Sequence, residues 1–273
     1  PSIQRMRVGV IGYGPFGKYL TQLLIDSPQH QHHHVRAIDR HSVEFAAEKD
    51  DVRNESTVRL ELFTLDDIEG FANDLDTIIM AVSISALATV LGSVPSEIFH
   101  EKLIVDVCSV KMYARDMMVK LLPTSADILC THPMFGPRSA SGANALSGKN
   151  FMVNRVRISD DERCDAFMSI WAHYACNVIE MTCEEHDQHT ARSQFITHFI
   201  ARSLNLYSLD PTPIDTPSFR NLSCLTSGLC EDSVDMFQAL YQYNPYATAE
   251  LEKIKEAIAG VEGQLHAVKS PPL

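Results

Sequence analysis

Gly12-Tyr13-Gly14-Pro15-Phe16-Gly17 constrains this chain more than any other segment. It follows Arg7–Ile11 (RVGVI), a short apolar run rich in β-branched residues that reads as a buried strand. A helical pattern comes next, with Leu20, Leu23 and Leu24 on one face. The first glycine permits a tight turn and the second lets backbone approach a pyrophosphate. The third lets the helix pack close to the strand, and the helix N-terminus attracts phosphate. A lone GxGxxG is weak, but between a strand and a helix it predicts dinucleotide binding; the competing reading is a glycine-rich turn with no ligand. Gly12, Gly14, Pro15, Phe16 and Gly17 are therefore cofactor-binding candidates.

Further strands are expected at Val35–Asp39, Leu60–Phe63, Thr77–Val82 and Leu103–Val107, and one more from Ile128 that ends at Thr131-His132-Pro133. Strands separated by helical stretches imply βαβ units, hence an α/β fold with a doubly wound parallel sheet. Beyond about residue 160 the pattern turns helical: Asp161–Tyr174, Glu184–Leu206, Ser233–Tyr243 and Ala247–Val268. This predicts a Rossmann-type domain over 1–155 and a smaller all-helical domain over 156–273. The second is short for an independent domain and is expected to need the first, a twin subunit or both to cover its apolar faces.

A length of 273 residues suits two domains. Lys and Arg number 23 against 35 Asp and Glu, a net charge of −12, which argues against nucleic acid or an anionic membrane surface as partner. No apolar run reaches the ~18 residues of a membrane span. Seven cysteines at irregular spacing, with no CxxC, argue against a disulfide framework and for a reducing compartment.

Other residues carry candidate chemistry. Asp39, at the end of the second strand and about 20 residues past the glycines, is placed to accept from an adenosine ribose hydroxyl, which favours NAD. Arg40 and Ser42 follow at once and suit the 2′-phosphate of NADP, so the residues alone leave that choice open. Ser83, just past the fourth strand, joins the cofactor-binding set. His132 ends a strand whose carboxyl edge should face the cofactor, where it would take a proton during hydride loss; its bland reading is a strand-end cap. Ser109 either orients that histidine or the nicotinamide, or caps the helix starting near Val110. His186, His189 and His198 share a helical stretch without a metal-binding pattern, so no metal site is expected. Arg220, read as a loop residue, is either a carboxylate clamp or a surface ion pair. The cluster His30, His32, His33 and His34 reads as a solvated turn.

VGVIGYGPFG at 8–17, DVCSVK at 106–111, THPMFGP at 131–137 and EEHDQHTARSQFITH at 184–198 together resemble the prephenate/arogenate dehydrogenase family of tyrosine biosynthesis, in wording closest to its plant-type members. The resemblance implies a Rossmann domain with a helical dimerisation domain, a homodimer, and oxidative decarboxylation of a cyclohexadienol with hydride transfer to NAD or NADP. It implies His132 as the catalytic histidine and Ser109 as its partner. It implies His198, Gln194 and Arg220 as substrate-binding residues, although plant-type members usually lack that arginine. Arg138-Ser139 also departs from the plant-type pattern. The plant-type and fungal members tilt the cofactor to NADP, and the compartment to cytoplasm, or to the plastid stroma in a photosynthetic eukaryote.

Arogenate carries an ammonium where prephenate carries a keto group, so a nearby carboxylate would favour arogenate. Glu231-Asp232-Ser233 resembles the acidic stretch that accompanies arogenate preference in plant-type members, which makes Asp232 the candidate selector; its bland reading is a cap for the helix that follows. Competing functions are a prephenate dehydrogenase yielding 4-hydroxyphenylpyruvate, a β-hydroxyacid-type dehydrogenase, and a non-catalytic dinucleotide-binding regulator. The second would need a lysine on the 184–206 helix, which has none, and the third would lack His132.

Overall fold

The computed structural model describes residues 6–27, 34–39, 59–137 and 146–268. They divide into two compact units, 1–183 and 184–273.

The first unit is built on an eight-stranded sheet of order β3-β2-β1-β4-β5-β6-β7-β8. Its strands are β1 (Val8–Ile11), β2 (His34–Asp39), β3 (Arg59–Thr64), β4 (Thr77–Met80), β5 (Leu103–Asp106), β6 (Asp127–Pro133), β7 (Asn150–Arg157) and β8 (Asn177–Glu180). The first six pair in parallel, in the 3-2-1-4-5-6 order of a doubly wound dinucleotide fold. Every residue of β1, β4, β5 and β6 is buried, as expected of parallel strands covered on both faces. Helices α1 (Pro15–Asp26), α2 (Ile68–Ala72), α3 (Ile84–Ser93) and α4 (Lys111–Leu121) follow β1, β3, β4 and β5. The order reverses between β1 and β4, the crevice where such sheets bind ligands.

The sheet continues past the expected boundary at 155. β7 returns antiparallel to β6, and β8 adds parallel to β7. Helix α5 (Asp161–His173) lies between them, N-capped by Asp160, whose carboxylate accepts from Arg163 N–H and is held below its usual pKa by that bond. Trp171 stacks on Phe151 at 4.4 Å, and the Tyr174 hydroxyl donates to Leu23 O in α1 at 2.5 Å. Asp127 accepts from the backbone N–H groups of Ser159 and Asp160. These ties belong to the sheet's own core, so the compact unit runs to Cys183 rather than 155. β7 carries no strict period-2 pattern, which is why it escapes a reading of the sequence.

The second unit is helical. α6 (Cys183–Thr190) begins at the division and runs through one π-turn (Ala191–Phe195) into α7 (Ile196–Tyr207). Then come α8 (Pro217–Cys230), α9 (Val234–Gln242) and α10 (Ala247–Val268). Phe195 packs against Phe199, Phe237 and Tyr241, and Asn244 donates to Asp187 O at 2.8 Å. Helix α8 corrects the loop expected around Arg220. Thr216 accepts from Phe219 N–H as N-cap and Pro217 suits the first helical position, so Ser218–Asn221 is the helix's opening turn. No helix among the described residues is long and apolar enough to cross a membrane.

Candidate active site

The glycine loop has the geometry its spacing predicts. Gly12 has φ +100°, and a Cβ there would lie 2.6 Å from Ala81 O, so the loops after β1 and β4 touch backbone to backbone. At Gly17 a Cβ would fall 1.9 Å from Gly12 O, which lets α1 start directly against the turn. Gly14 differs: its missing Cβ faces space with nothing within 4 Å. Gly14 is also the N-cap of α1, with Pro15 next and no side-chain cap on the first turn. An open glycine at an uncapped helix N-terminus fits an incoming phosphate, so these residues suit a dinucleotide. Tyr13 N–H donates to Asp39 Oδ2 at 2.7 Å, locking the end of β2 onto the loop. Ser83 is the exposed N-cap of α3, its hydroxyl 3.1 Å from that of Ser85. Arg40, Ser42, Arg138, Ser139, His30, His32 and His33 lie outside the described residues.

His132 sits near the carboxyl end of β6, only 4% exposed. Ser109 lies just beyond β5 and is half-buried. It does not cap α4: Val110 holds the N-cap position, without a side-chain bond. Asp106 and Lys111, which flank Ser109, form an ion pair buried completely. The Lys111 ammonium also donates to Thr131 O, beside His132. Cys108 is buried, which pushes its thiol up to about 12 and keeps it protonated.

The second unit carries the remaining candidates. His198 on α7 is buried, and its Nε2 lies 3.8 Å from Asp232 Oδ2. Asp232 precedes the cap rather than forming it: the Ser233 hydroxyl accepts from Met236 N–H. Arg202 donates to the Asp232 carbonyl at 2.6 Å and stacks its guanidinium over Phe237 at 4.9 Å, which fixes that turn. Gln194 falls in the π-turn, and its buried Oε1 has no hydrogen-bond partner among the described residues. Such single π-turns recur at functional sites because the extra residue re-aims the side chains around it. Arg220 is exposed and donates to Asp215 O at 2.8 Å.

Two arrangements escape a reading of the sequence. One is the buried Asp106–Lys111 pair, whose signal was an acid ending a strand and a lysine opening the next helix. The other is the buried pair His186 Nδ1 and Asp187 Oδ1 at 2.8 Å. Among the described residues no group of three or more His, Cys, Asp or Glu could hold a metal.

The prephenate dehydrogenase nucleotide-binding domain matches residues 36–180, and a TYRAAT1-like C-terminal domain matches residues 203–270. Arogenate dehydrogenase 1, chloroplastic, of Arabidopsis thaliana is 38% identical over 96% of this chain, which spans 39% of that protein's length. Arogenate dehydrogenase 2, chloroplastic, of the same plant is 35% identical over 95% of this chain and 70% of its own. The structure of A. aeolicus prephenate dehydrogenase with hydroxyphenyl propionate and NAD+ superposes with a TM-score of 0.76 at 16% identity, covering 98% of this chain and 93% of that one. Synechocystis arogenate dehydrogenase superposes with a TM-score of 0.64 at 15% identity, over 97% and 94% of the two chains. The structural likenesses establish the fold; the sequence matches make this chain a member of the prephenate/arogenate dehydrogenase family.

Proposed function

We propose that the chain catalyses the oxidative decarboxylation of arogenate to tyrosine, with NADP as the hydride acceptor. The observation that carries this reading is His132, buried at the carboxyl end of β6 in a sheet whose β1–β4 crevice bears the glycine loop. A bound nicotinamide dinucleotide supplies the hydride acceptor. His132 hydrogen-bonds the ring hydroxyl and takes its proton as the carbonyl forms. Ser109 orients His132 and the nicotinamide. Gly12, Gly14, Pro15, Phe16, Gly17, Asp39 and Ser83 hold the dinucleotide, and Arg40 and Ser42 supply its 2′-phosphate site. His198, Gln194 and Arg220 bind the substrate, Arg220 through a carboxylate.

The choice of arogenate is supported by Asp232, whose carboxylate lies beside His198 and would attract the ammonium that prephenate lacks. The Arabidopsis relatives named arogenate dehydrogenases support it too, and their chloroplastic names support a plastid compartment. A homodimer is supported by α10. Leu251, Ile254, Ile258, Val261, Leu265 and Val268 recur at alternating intervals of three and four, a seam for a second helix. The last four of them are 53–81% exposed.

The test measures NADPH and NADH formation from arogenate and from prephenate, for the parent and for Asp232→Asn. The parent should prefer arogenate and NADP by roughly tenfold or more in kcat/KM. Asp232→Asn should shift the substrate preference toward prephenate by roughly 10- to 100-fold, the worth of one charged hydrogen bond. An unmoved preference would remove Asp232 as selector, and faster turnover of prephenate by the parent would overturn the substrate assignment.

A further inference from the structure

Lys111 has none of its side chain exposed, yet it opens helix α4 beside both candidate catalytic residues. Its Nζ donates to Asp106 Oδ1 at the end of β5 and to Thr131 O in β6. The same Oδ1 accepts from Cys108 N–H at 3.0 Å, and the Thr131 hydroxyl donates to Asp106 O at 2.7 Å. These bonds hold both flanks of Ser109, through Cys108 and Lys111, and the residue immediately before His132. Burial is the strongest single influence and lowers the lysine pKa, but Asp106 first, then Cys108 and Cys130, together outweigh it and leave Lys111 raised and charged.

The parallel ladder between β5 and β6 ends at Asp106↔Cys130. Ser109 and His132 both lie past that register. The ion pair and the Thr131 hydroxyl occupy that place. A buried pair of this kind adds little stability over apolar side chains of equal volume, so stability alone does not explain charges here.

We propose that Asp106 and Lys111 are a positioning pair: they fix Ser109 against His132 beyond the end of the β5–β6 ladder, and turnover depends on them while substrate and cofactor binding do not. This rests on the reading of His132 and Ser109 as catalytic residues.

The test uses the full chain carrying Asp106→Asn with Lys111→Met, which leaves no buried charge unpaired and keeps an acceptor for Cys108 N–H. A displacement of about 1 Å lowers rates by roughly 100-fold, so kcat should fall by roughly 10- to 100-fold. KM for arogenate and NADP should stay within about threefold, since the residues that bind them are untouched. A folded double variant with kcat within about threefold of the parent would overturn the proposal, as would an effect confined to KM. Should the double variant not fold, Thr131→Val decides, because it keeps the shape and removes only the hydroxyl tie. It should lower kcat by roughly 3- to 10-fold at constant KM, and unchanged kcat would overturn the proposal. His132→Asn, assayed alongside, separates the two failures. If it abolishes turnover while the pair variants keep it, the positioning role alone is wrong; if it too keeps turnover, the reading of the site falls and takes this one with it.

Discussion

His132 and His198 are equally buried, each 4% exposed, but they are held by opposite means. His132 belongs to a strand in the middle of an eight-stranded sheet, paired with β7 at Met152 and preceded by residues paired with β5. Its position follows from a backbone lattice that the first unit completes by itself. His198 stands on a helix just after a π-turn, beside one carboxylate, in a unit that leaves Leu206 and Ile214 almost wholly exposed along with the outer half of α10. Side-chain packing has to do in the second unit what the ladder does in the first. A residue at a strand end inherits its precision from its neighbours' hydrogen bonds, whereas a helical site depends on whatever covers the remaining apolar surface.

The contrast is broken most sharply at His132. Its replacement by Asn should lower kcat by roughly 10²- to 10⁴-fold, the usual worth of general acid–base catalysis, with the melting temperature nearly unchanged because the sheet does not depend on the imidazole. Steady-state rates with a parallel thermal melt check both halves; retained turnover would end the catalytic reading of the strand end.

The second unit's dependence on a partner is tested on α10. Ile258→Glu with Leu265→Glu places two charges on the exposed seam. At ~2 kcal/mol for each of the four apolar side chains that two copies remove from the seam, association should weaken by roughly 10⁶-fold. Sedimentation velocity across a concentration series would read this as a shift from dimer to monomer. A monomeric parent, or a double variant that dimerises as well as the parent, would show that the seam serves something else.

The smallest effect separates two glycines of one loop. Gly17→Ala drives a Cβ into Gly12 O and should cost ~3 kcal/mol, or roughly 10 °C in melting temperature for a unit of this size. Gly14→Ala meets no protein atom, so its melt should match the parent while KM for the dinucleotide rises by roughly tenfold, if backbone there approaches the pyrophosphate. Equal melting shifts at both positions would mean that the loop's glycines serve packing alone.

Much of the first unit was legible in the chain. Buried parallel strands are near-continuous apolar runs, and TIIM and LIVD show that directly. Helix α10 was bounded at Ala247 and Val268, and the helix through 184–206 was seen without its π-turn. β7 and β8 are not legible in the chain because their residues do not alternate cleanly; the burial of β7 fades from Phe151–Val153 to its half-buried later residues. The prolines and glycine around Arg220 predict a loop, but Pro217 at a helix start favours the helix. The candidate site was legible where local chemistry decides, at the glycine loop and at His132. It was not legible where two distant segments meet, as with His198 and Asp232, or Lys111 and Thr131.

By itself the amino-acid sequence determined the first six strands in chain order, the glycine loop and the family, because hydrophobic period, glycine placement and short motifs act over a few residues. Only the tertiary structure decided that the sheet extends to β8, that Asp39 locks the glycine loop through Tyr13 N–H, and that Asp232 lies beside His198 instead of capping its helix. It alone turned Asp106 and Lys111 from two letters of a motif into a buried charge pair between strand ends. The reason is common to all four. Each depends on which surfaces are removed from water together, and that is settled by packing between segments far apart in the chain.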